Sequence, residues 1–543
     1  MSQRTISLPQ LPASDGEAPA RPRRHYGRWR AASLIAVHVL IALHIAHWCY
    51  AGTTLAPLEL NEVMHTLELG IVTAGFVLMS LIVVSVAVFG RFFCSWGCHI
   101  LALQDLCGWI FRKARIRAKP VRSRVLRFVA PAAMLYMFVW PHVRKLIEGQ
   151  PLPALHLRDD AGGWASFVTD DFWRNLPGLG VTGLTFLVCG FLIVYVLGTR
   201  SFCQYVCPYG AIFGIMDRVA PGRIRVDPDK CTSCGVCTGV CDSHIRVHEE
   251  VALHGRVVDS ACLKDLDCVS ACPENALSYG WTRPSLLTSF RPARRRIPYD
   301  FTLAEDMLMA AVFIGTLVTF RGLYGLGPFL LSLAAAGILS YLAVLCTRLV
   351  WSEHVRFNRF QLKRKRNVTP AGRGFALIAV MIWVFVIHSA LIRSHEVRGR
   401  RALSQATLAY QRGADPAVLR HAAGDARMHL AFCARWGLLT APDHAVCMAS
   451  ACWTLGDVSG AERSWRRAIE RNPDDHRSRL DLASSLAQRG RGDRAVPLLQ
   501  TVAQARERSR TDAARYAHYR ASATRMLAAL SETPGSAPAA AGE

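Results

Sequence analysis

Seven cysteines between residues 231 and 272 have a spacing that suits iron–sulfur chemistry. The first run reads C-T-S-C-G-V-C-T-G-V-C, and after twenty residues a near copy reads C-L-K-D-L-D-C-V-S-A-C-P. Thiolate sulfur is the ligand that iron–sulfur clusters take, and three closely spaced thiolates from one loop can hold three corners of a cube. Zinc is a poorer explanation, because four-cysteine zinc sites usually combine two C-x2-C pairs. The stretch therefore predicts two iron–sulfur clusters.

The spacing is that of bacterial two-cluster ferredoxins, in which the fourth cysteine of each run ligates the cluster of the other run. This pattern assigns four ligands to the first cluster and three to the second. The first cluster takes Cys231, Cys234, Cys237 and Cys272, and the second takes Cys241, Cys262 and Cys268. We expect the first cluster to be of the 4Fe-4S type.

The second run departs from the pattern, because Asp265 stands where its second cysteine is expected. A carboxylate can complete a four-iron cluster weakly, which makes Asp265 a candidate ligand. Alternatively the corner stays open, which leaves a 3Fe-4S cluster or an iron with an exchangeable ligand. A second departure is Asp242, which follows Cys241 where proline is usual. The sequence leaves the nuclearity of the second cluster open.

Four more cysteines form two C-x3-C motifs, Cys94–Cys98 and Cys203–Cys207. Each motif follows an apolar run, and residues four apart lie on the same face of a helix. We therefore predict one shared site of four thiolates at the membrane surface. Such a site suits a third iron–sulfur cluster or a soft metal ion such as Cu(I), that is, copper. The alternative is that these small residues pack at helix ends without binding metal.

Long apolar runs indicate a membrane protein, since a spanning helix needs about 20 predominantly apolar residues. Hydrophobic residues make up 51% of the chain, and its mean hydropathy is positive. We predict a mainly α-helical, polytopic protein with about seven spans: Ala31–Tyr50, Thr66–Phe89, Val125–Trp140, Val181–Leu197, Thr302–Phe320, Pro328–Leu345 and Phe375–Ile392. The third is the weakest, because it contains Arg127 and Pro131.

The formal net charge of +24 would suit nucleic-acid binding, but its distribution argues against that function. Basic residues cluster beside the apolar runs, as the positive-inside rule describes for membrane proteins. Residues 227–282 instead hold nine Asp and Glu against four Lys and Arg, so the cluster-binding insert is acidic. We therefore predict a multi-pass protein in the lipid bilayer of the bacterial inner membrane, with no nucleic-acid partner.

The charges of the loops also predict sidedness. The basic stretch Arg112–Arg127 places its loop in the cytoplasm, and the iron–sulfur insert follows on the same side, where thiols stay reduced. An odd number of spans then carries the C-terminal tail into the periplasm. The weakest point of this topology is Arg393–Arg401, a basic cluster that would prefer the cytoplasm.

The tail is helical in pattern and repeats with a period of 34 residues. The repeated residues are Gly456, Ala461, Trp465 and Ala468, which return as Gly490, Ala495, Leu499 and Val502. This period resembles that of the tetratricopeptide repeat, in which stacked helix pairs form a concave binding surface. A plain helical bundle is the alternative. We expect a client protein to bind this tail.

Taken together, these patterns predict six parts. They are a disordered basic N-terminus (1–30), a membrane core with both C-x3-C motifs (31–200), a two-cluster ferredoxin-type α+β domain (201–285), three further spans (286–395), tetratricopeptide-like helical repeats (402–530) and a disordered end (531–543). Histidines lie in or near the first span at His38, His44 and His47, and they suit ligation of a haem, a hydrogen bond to a quinone or plain packing.

Three segments in combination resemble the membrane-bound polyferredoxins of the NapH, NosR and CcoG type: GRFFCSWGCHILALQDLCGW, FCQYVCPYGAIFG and the double cysteine run. The resemblance covers about residues 30–285. It implies a helical membrane core with a cytoplasmic two-cluster insert, and electron transfer between a membrane donor, often quinol, and a partner. In some members it implies metal reduction during the assembly of another redox enzyme. His99 stands where one motif usually has proline, and the repeat tail is not typical.

Two classes of function follow. In the first, the chain is an oxidoreductase component that passes electrons between the quinone pool or a cytoplasmic donor and a partner redox protein. In the second, it is an assembly or maturation factor that supplies electrons or metal to a client respiratory enzyme. A purely structural scaffold would not explain eleven thiols at ligand spacing.

Overall fold

The computed structural model describes residues 25–55, 62–116, 121–157, 167–169, 178–286, 299–505 and 513–532. Most of the two ends that we expect to be disordered lies outside these residues. The first described helix nevertheless begins at Tyr26 and the last ends at Glu532, so both predicted boundaries differ from the structure by a few residues. The described part is mainly α-helical, as predicted.

Helices of the membrane core come first in the chain. They are α1 (Tyr26–Ala51), α2 (Glu62–Leu69), α3 (Ala74–Phe89), α4 (Phe92–Trp96), α5 (His99–Lys113), α6 (Leu126–Ile147), α7 (Leu179–Leu197) and α8 (Pro208–Val219). Two of them contain π-helical stretches, Leu135–Val139 in α6 and Leu187–Leu192 in α7, and a separate π-helical turn spans Phe202–Val206. A two-residue ladder pairs β1 (Thr54–Leu55) with β2 (Val168–Thr169).

The predicted second span is divided in the structure. Its helix ends at Leu69, Gly70 has a φ of 80°, and a new helix begins after Thr73, whose side chain accepts a hydrogen bond from the backbone of Phe76. The remaining helix α3 has 16 residues, or about 24 Å, against a hydrocarbon core of about 30 Å. Among the described residues, six other helices are long and apolar enough to span. The count of seven spans therefore stays a prediction.

The iron–sulfur insert is closed by an antiparallel strand pair, β3 (Gly222–Val226) and β4 (Leu277–Trp281). The register pairs Gly222 with Trp281 and Val226 with Leu277, so the start and the end of the insert meet. Three short helices lie between the strands: α9 (Val236–Gly239), α10 (Val247–His254) and α11 (Asp267–Ser270).

Three more long helices follow: α12 (Leu303–Phe320), α13 (Phe329–Trp351) and α14 (Pro370–Gln411). A capping box between Thr302 and Glu305 starts α12. A small sheet of β5 (Val355–Phe357), β6 (Phe360–Arg364) and β7 (Asn367–Val368) connects α13 to α14. With 42 residues, α14 is about 63 Å long, which is twice the hydrocarbon thickness, so it continues into the tail.

The long helices have a buried core on one side and exposed apolar side chains on the other. Met309 and Val344 are fully buried between α6, α7, α12 and α13. Leu377 and Met381 on α14 are more than 60% exposed, as are Ile35 and Leu40 on α1. Because such apolar faces need a hydrocarbon environment, the protein is a membrane protein.

The insert and the tail contact opposite ends of these helices. At one end Arg122 donates a backbone hydrogen bond to Asp300 and a side-chain one to the carbonyl of His244, in the insert. At the other end, the backbone N–H of Leu438 in the tail donates to the hydroxyl of Tyr324, in the turn between α12 and α13. The positive charge of the basic stretch Arg393–Arg401 is partly neutralised at that end, since Arg393 and Arg400 both pair with Glu396.

The tail consists of helix pairs, α15 (Pro416–Trp436), α16 (His444–Thr454), α17 (Val458–Arg471), α18 (His476–Gln488), α19 (Gly492–Ala503) and α20 (Ala513–Glu532). Residues that repeat in the sequence occupy equivalent places. Gly456 and Gly490 both have positive φ before a helix, and Ala461 and Ala495 are both fully buried. The helical repetition is therefore present, and its assignment to the tetratricopeptide family stays a prediction.

Candidate iron–sulfur centres

Backbone geometry makes the two cysteine runs equivalent. In each run two residues with positive φ, between 56° and 75°, precede a one-turn helix. They are Ser233 and Gly235 before α9, and Lys264 and Leu266 before α11. A left-handed conformation is costly for leucine, so the surrounding structure must hold this loop in shape. Because Cys234 and Asp265 lie between these paired residues, Asp265 occupies the place of the missing cysteine.

The first centre is formed by the four cysteines that the spacing assigns to it. They surround one cavity together with Pro273 and Ala276: Cys231, Cys234, Cys237 and Cys272. The backbone N–H of Ala276 donates a 3.3 Å hydrogen bond to Cys272 Sγ, which suits a charged sulfur ligand. Burial raises the pKa of Cys237, so its thiolate needs a cation beside it. This donor set fits a four-iron cluster.

The second centre lies deeper. Cys262 and Cys268 are buried and Cys241 is half-buried, and all three pack in the hydrophobic core of the insert. Burial raises the pKa of Cys241 to about 12, and the nearby charges of Asp265 and Cys262 act in the same direction. The structure thus brings three thiols and one carboxyl group together, as the spacing predicts.

Both departures from the ferredoxin pattern meet at one buried arginine. Arg200 Nη2 lies 3.4 Å from Asp265 Oδ2 and 3.8 Å from Asp242 Oδ2, and its side chain is only 1% exposed. Arg30 Nη1 lies 3.9 Å from the same oxygen of Asp265. The two carboxylates therefore bind cations of the membrane core.

These arginines belong to a larger ion-pair network. Asp105 of α5 lies 3.4 Å from Arg200 and 3.2 Å from Arg30, and Asp267 of the insert lies 3.1 Å from Arg30. Burial raises the pKa of Asp267 to about 6, and the neighbouring charge of Asp265 adds to this shift. Since Arg30 lies near the start of α1, the network fastens the insert to the membrane core.

The third centre combines both C-x3-C motifs. Its four cysteines, Cys94, Cys98, Cys203 and Cys207, pack in one hydrophobic cluster with Met79, Val86, Tyr209 and Phe213. Burial raises the pKa of Cys203, and the charges of the other three thiols add to this shift. The structure therefore brings the four cysteines of both motifs into one cluster, and their joint binding of a metal or of an iron–sulfur cluster stays a prediction.

Its local geometry differs from the expectation that each pair lies on one helical face. That expectation is wrong because α4 ends at Trp96 and the π-helical turn ends at Val206. Cys98 and Cys207 follow these ends with extended backbones, at ψ of 117° and 112°. Each pair therefore converges through a tight turn. The π-helical turn carries Cys203, and such turns are frequent at functional sites.

Two buried arginines beside the thiols are absent from our sequence-based assignment. Arg91 is 5% exposed and hydrogen-bonds to Cys94. The charge of Arg200 lowers the pKa of Cys203, which opposes the rise that burial causes. A sequence signal for both exists, since each arginine stands three residues before the first cysteine of its motif. Cations at these places stabilise thiolate ligands.

The segment that carries the first C-x3-C motif contacts the loop of the second cysteine run, so the second and third centres are neighbours. Trp96 Nε1 donates a 3.1 Å hydrogen bond to the carbonyl of Lys264, and Arg91 Nη1 donates one of the same length to the carbonyl of Ser260. The ammonium group of Lys264 lies 2.8 Å from Asp217 on α8, and both are fully buried. The loop of the second run therefore packs on the C-x3-C site.

An apolar groove reaches the same region from the membrane side. It lies between α1 and α5, where Leu34, Leu103 and Trp109 are among its walls, and it contains His38 and His99. Its polar lining residues include Arg30 and Asp105 of the ion-pair network. His44 and His47, the other histidines of the first span, instead bond near β1.

Within the described residues, no three His, Cys, Asp or Glu side chains converge closely enough to share a single metal ion. Iron–sulfur ligands are spaced differently, because they surround a cube of iron and sulfide rather than one ion. The cysteine sets above are therefore candidates for cluster ligands rather than for a single-ion site.

Comparison with known families confirms the chemistry of these segments. A 4Fe-4S binding domain matches residues 71–117 and 179–227, which contain both C-x3-C motifs. A 4Fe-4S dicluster domain matches residues 223–273, which contain both cysteine runs. No solved structure matches the chain.

Curated relatives point to the same class. The ferredoxin-type protein NapH of Haemophilus influenzae is 30% identical over 199 residues, which cover 35% of this chain and 61% of NapH. The methylamine utilization ferredoxin-type protein MauN of Methylobacillus flagellatus is 28% identical over 155 residues, covering 28% of this chain and 48% of MauN. Protein YccM of Escherichia coli, provisionally named for electron transport, is 26% identical over 301 residues. These residues cover 50% of this chain and 80% of YccM.

Fold and site thus define an iron–sulfur protein of the ferredoxin-type electron-transport class, set in a membrane. In its first half, the chain carries 4Fe-4S binding domains and is similar to the ferredoxin-type proteins NapH and MauN, as its motifs predict.

Proposed function

We propose that this protein passes electrons between the quinone pool or a cytoplasmic donor and a partner redox protein, through three centres in series. The observation that carries the proposal is the packing of the C-x3-C site against the second cysteine run, through Trp96 and Lys264. The order from the bilayer outward is then the C-x3-C site, the second cluster and the first cluster. Cys94, Cys98, Cys203 and Cys207 would hold a further cluster in this order.

Bound clusters supply one-electron chemistry, and the chain controls it. The cysteines would hold the irons, and the second and third centres are less exposed than the first, where Cys234 is on the surface. Arg91 and Arg200 lie beside the third set of thiols and offset its negative charge. Burial, hydrogen bonds to sulfur and nearby charge are the factors by which a protein sets cluster potential. Copper at the same thiols is the alternative ligation, and it would require the thiols to approach one another more closely than they do in the structure.

The membrane end of this path is the groove between α1 and α5. Its apolar walls suit the tail of a quinone, and His38 and His99 offer hydrogen bonds to a quinone ring. Its polar end reaches Arg30, which pairs with Asp265 beside the second centre.

The opposite end of the path is the first centre, where Cys234 is exposed. A soluble partner can approach this cluster more closely than the two buried ones. Because the insert is acidic within a basic chain, a partner with a basic face would be attracted to it. The proposed topology places this surface in the cytoplasm.

The second candidate is a function in the assembly or maturation of another protein, and the position of the tail supports it. The tail contacts the turn at Tyr324, whereas the insert contacts Arg122, which also bonds to Asp300 just before the other end of α12. A client on the helical repeats would therefore lie across the membrane from the insert, in the periplasm by the proposed topology. Such a client would receive electrons or metal through the membrane core.

A quinol analogue tests the primary proposal. Purified protein with its clusters intact is mixed anaerobically with duroquinol, and the visible absorbance is followed. We expect bleaching that is slowed at least tenfold in His99→Phe, which fills the groove, and not in His354→Phe, at an exposed position after α13. Clusters that dithionite reduces and duroquinol does not would contradict a quinone donor.

A further inference from the structure

We propose that one iron of the second cluster has no protein ligand and binds a solvent water molecule, because Arg200 and Arg30 hold the carboxylate of Asp265 away from it. This inference rests on the proposed function, since it requires a cluster at the second run. It decides between the alternatives that the sequence leaves open for Asp265.

Both carboxylate oxygens of Asp265 already have partners. Oδ2 lies 3.4 Å from Arg200 and 3.9 Å from Arg30, and Oδ1 accepts a 3.4 Å hydrogen bond from the backbone N–H of Asp267. A guanidinium group keeps its charge at every physiological pH, so this pairing is permanent. Moving the carboxylate onto iron would leave the buried Arg200 without one of its partners, which is strongly destabilising, whereas the carboxylate would gain only a weak bond to iron.

The first run provides the internal comparison. Cys234 has the same backbone setting as Asp265, but no arginine lines the first cavity, whose one cationic residue is Lys230. The two runs thus differ in two ways at this position: Asp265 replaces the cysteine, and arginines surround Asp265 but not Cys234. Asp242, the other departure, is 3.8 Å from the same arginine, so both replacements serve the attachment of the insert to the membrane core.

Water can reach the open corner along the groove between α1 and α5. Arg30 and Asp105 line the groove, and Arg30 also contacts Asp265. The lining at this point is polar, which suits a water molecule rather than an apolar ligand. Asp265 would then accept a hydrogen bond from the iron-bound water.

An open corner also predicts how the cluster breaks down. When ferricyanide takes one electron from the [4Fe-4S]²⁺ form, the unligated iron leaves as Fe²⁺ and a [3Fe-4S]⁺ cluster remains, so charge and iron balance. The reaction should stop at one iron per chain, because the remaining irons keep their thiolates. Asp265→Cys should abolish the three-iron signal by closing the corner.

Electron–nuclear double resonance in water enriched in oxygen-17 tests the proposal directly. The full-length protein is reduced with dithionite in enriched and in ordinary water. We expect an oxygen-17 coupling to the reduced second cluster in the wild type and none in Asp265→Cys. Cys234→Asp is the matched control: its carboxylate meets no arginine, so it should ligate iron and give no new coupling.

The outcomes separate the inference from the proposed function. A reduced second cluster without oxygen-17 coupling in the wild type would overturn the open corner and assign Asp265 as the ligand. A coupling at the first cluster of Cys234→Asp would overturn the role of the arginines. The absence of any cluster signal from the second run would instead overturn the proposed function. The comparison of the wild-type protein in enriched and in ordinary water tests the open corner even if a variant does not fold.

Discussion

Trp96 donates a hydrogen bond from Nε1 to the carbonyl oxygen of Lys264, 3.1 Å away. Trp96 lies between Cys94 and Cys98, and Lys264 lies between Cys262 and Asp265. One contact therefore joins the thiol site of the membrane core to the second cysteine run. In a relay of electrons these two centres would be neighbours, and the predictions below follow from that arrangement.

Iron content checks the two-cluster insert. Protein made with adequate iron should be brown and hold roughly seven to eight irons in the insert, plus those of the C-x3-C site if it holds a cluster. Cys237→Ser should remove about four irons and the spectrum of the first cluster, because it deletes one of four thiolates around a single cavity. Cys346→Ser, in α13, is the control. Zinc in place of iron would refute this prediction.

Removal of the buried guanidinium should loosen the insert. Arg200→Gln leaves Asp105, Asp242 and Asp265 without their shared cation, which should destabilise the attachment by about 3–5 kcal/mol. The measurement is the rate at which a protease cleaves the insert in membranes. Arg366→Gln is the matched control, since the side chain of Arg366 is 82% exposed and pairs with Glu353 on the surface. Equal cleavage of both variants would mean that the network does not hold the insert.

Much of this arrangement is readable from the sequence, and the reason is local chemistry. Ligand spacing locates the three cysteine sets, since neighbouring thiolates must reach one cluster. The ion-pair network is not readable, because Arg30, Asp105 and Arg200 are far apart in the chain and meet only in the fold. The break before α3 is also missed, since hydropathy does not register the turn at Gly70.

Glu250 should make the insert less stable as pH rises. Its carboxylate accepts hydrogen bonds from the backbone of Val258 and Asp259, and burial raises its pKa to about 7. The pKa of Glu250 in the folded state lies above its unfolded value of about 4.3. The stabilisation that the protonated carboxyl group contributes is therefore full below about pH 4.3 and is lost as the pH rises through 7. Glu250→Gln keeps an acceptor without charge, so it should stabilise the insert by about 1–3 kcal/mol at pH 8.

The measurement is the temperature at which the visible absorbance of the clusters is lost, at pH 5 and pH 8. Glu274→Gln, at an exposed position, is the control. A Glu250→Gln variant that is less stable than the wild type at pH 8 would show that the carboxylate is needed in its charged form.

Reporters can establish the topology. A fusion at residue 250 should report the cytoplasm and one at residue 540 the periplasm. The physical reason is that the insert contacts Arg122, which bonds to Asp300 just before α12, whereas the tail contacts Tyr324 just after it. The measurement is the activity of paired reporters that work on only one side of the membrane. If both fusions report the same side, one span is misassigned.

The central claim is that the C-x3-C site relays electrons between the bilayer and the insert. Cys98→Ala with Cys207→Ala should leave the clusters of the insert intact, because those two cysteines lie outside it. The direct measurement is the rate at which duroquinol reduces the insert clusters, with dithionite reduction as the control for their integrity. We predict a loss of at least a hundredfold in the double variant. Reduction at the wild-type rate, with unchanged metal content, would contradict the relay and leave these cysteines as packing residues.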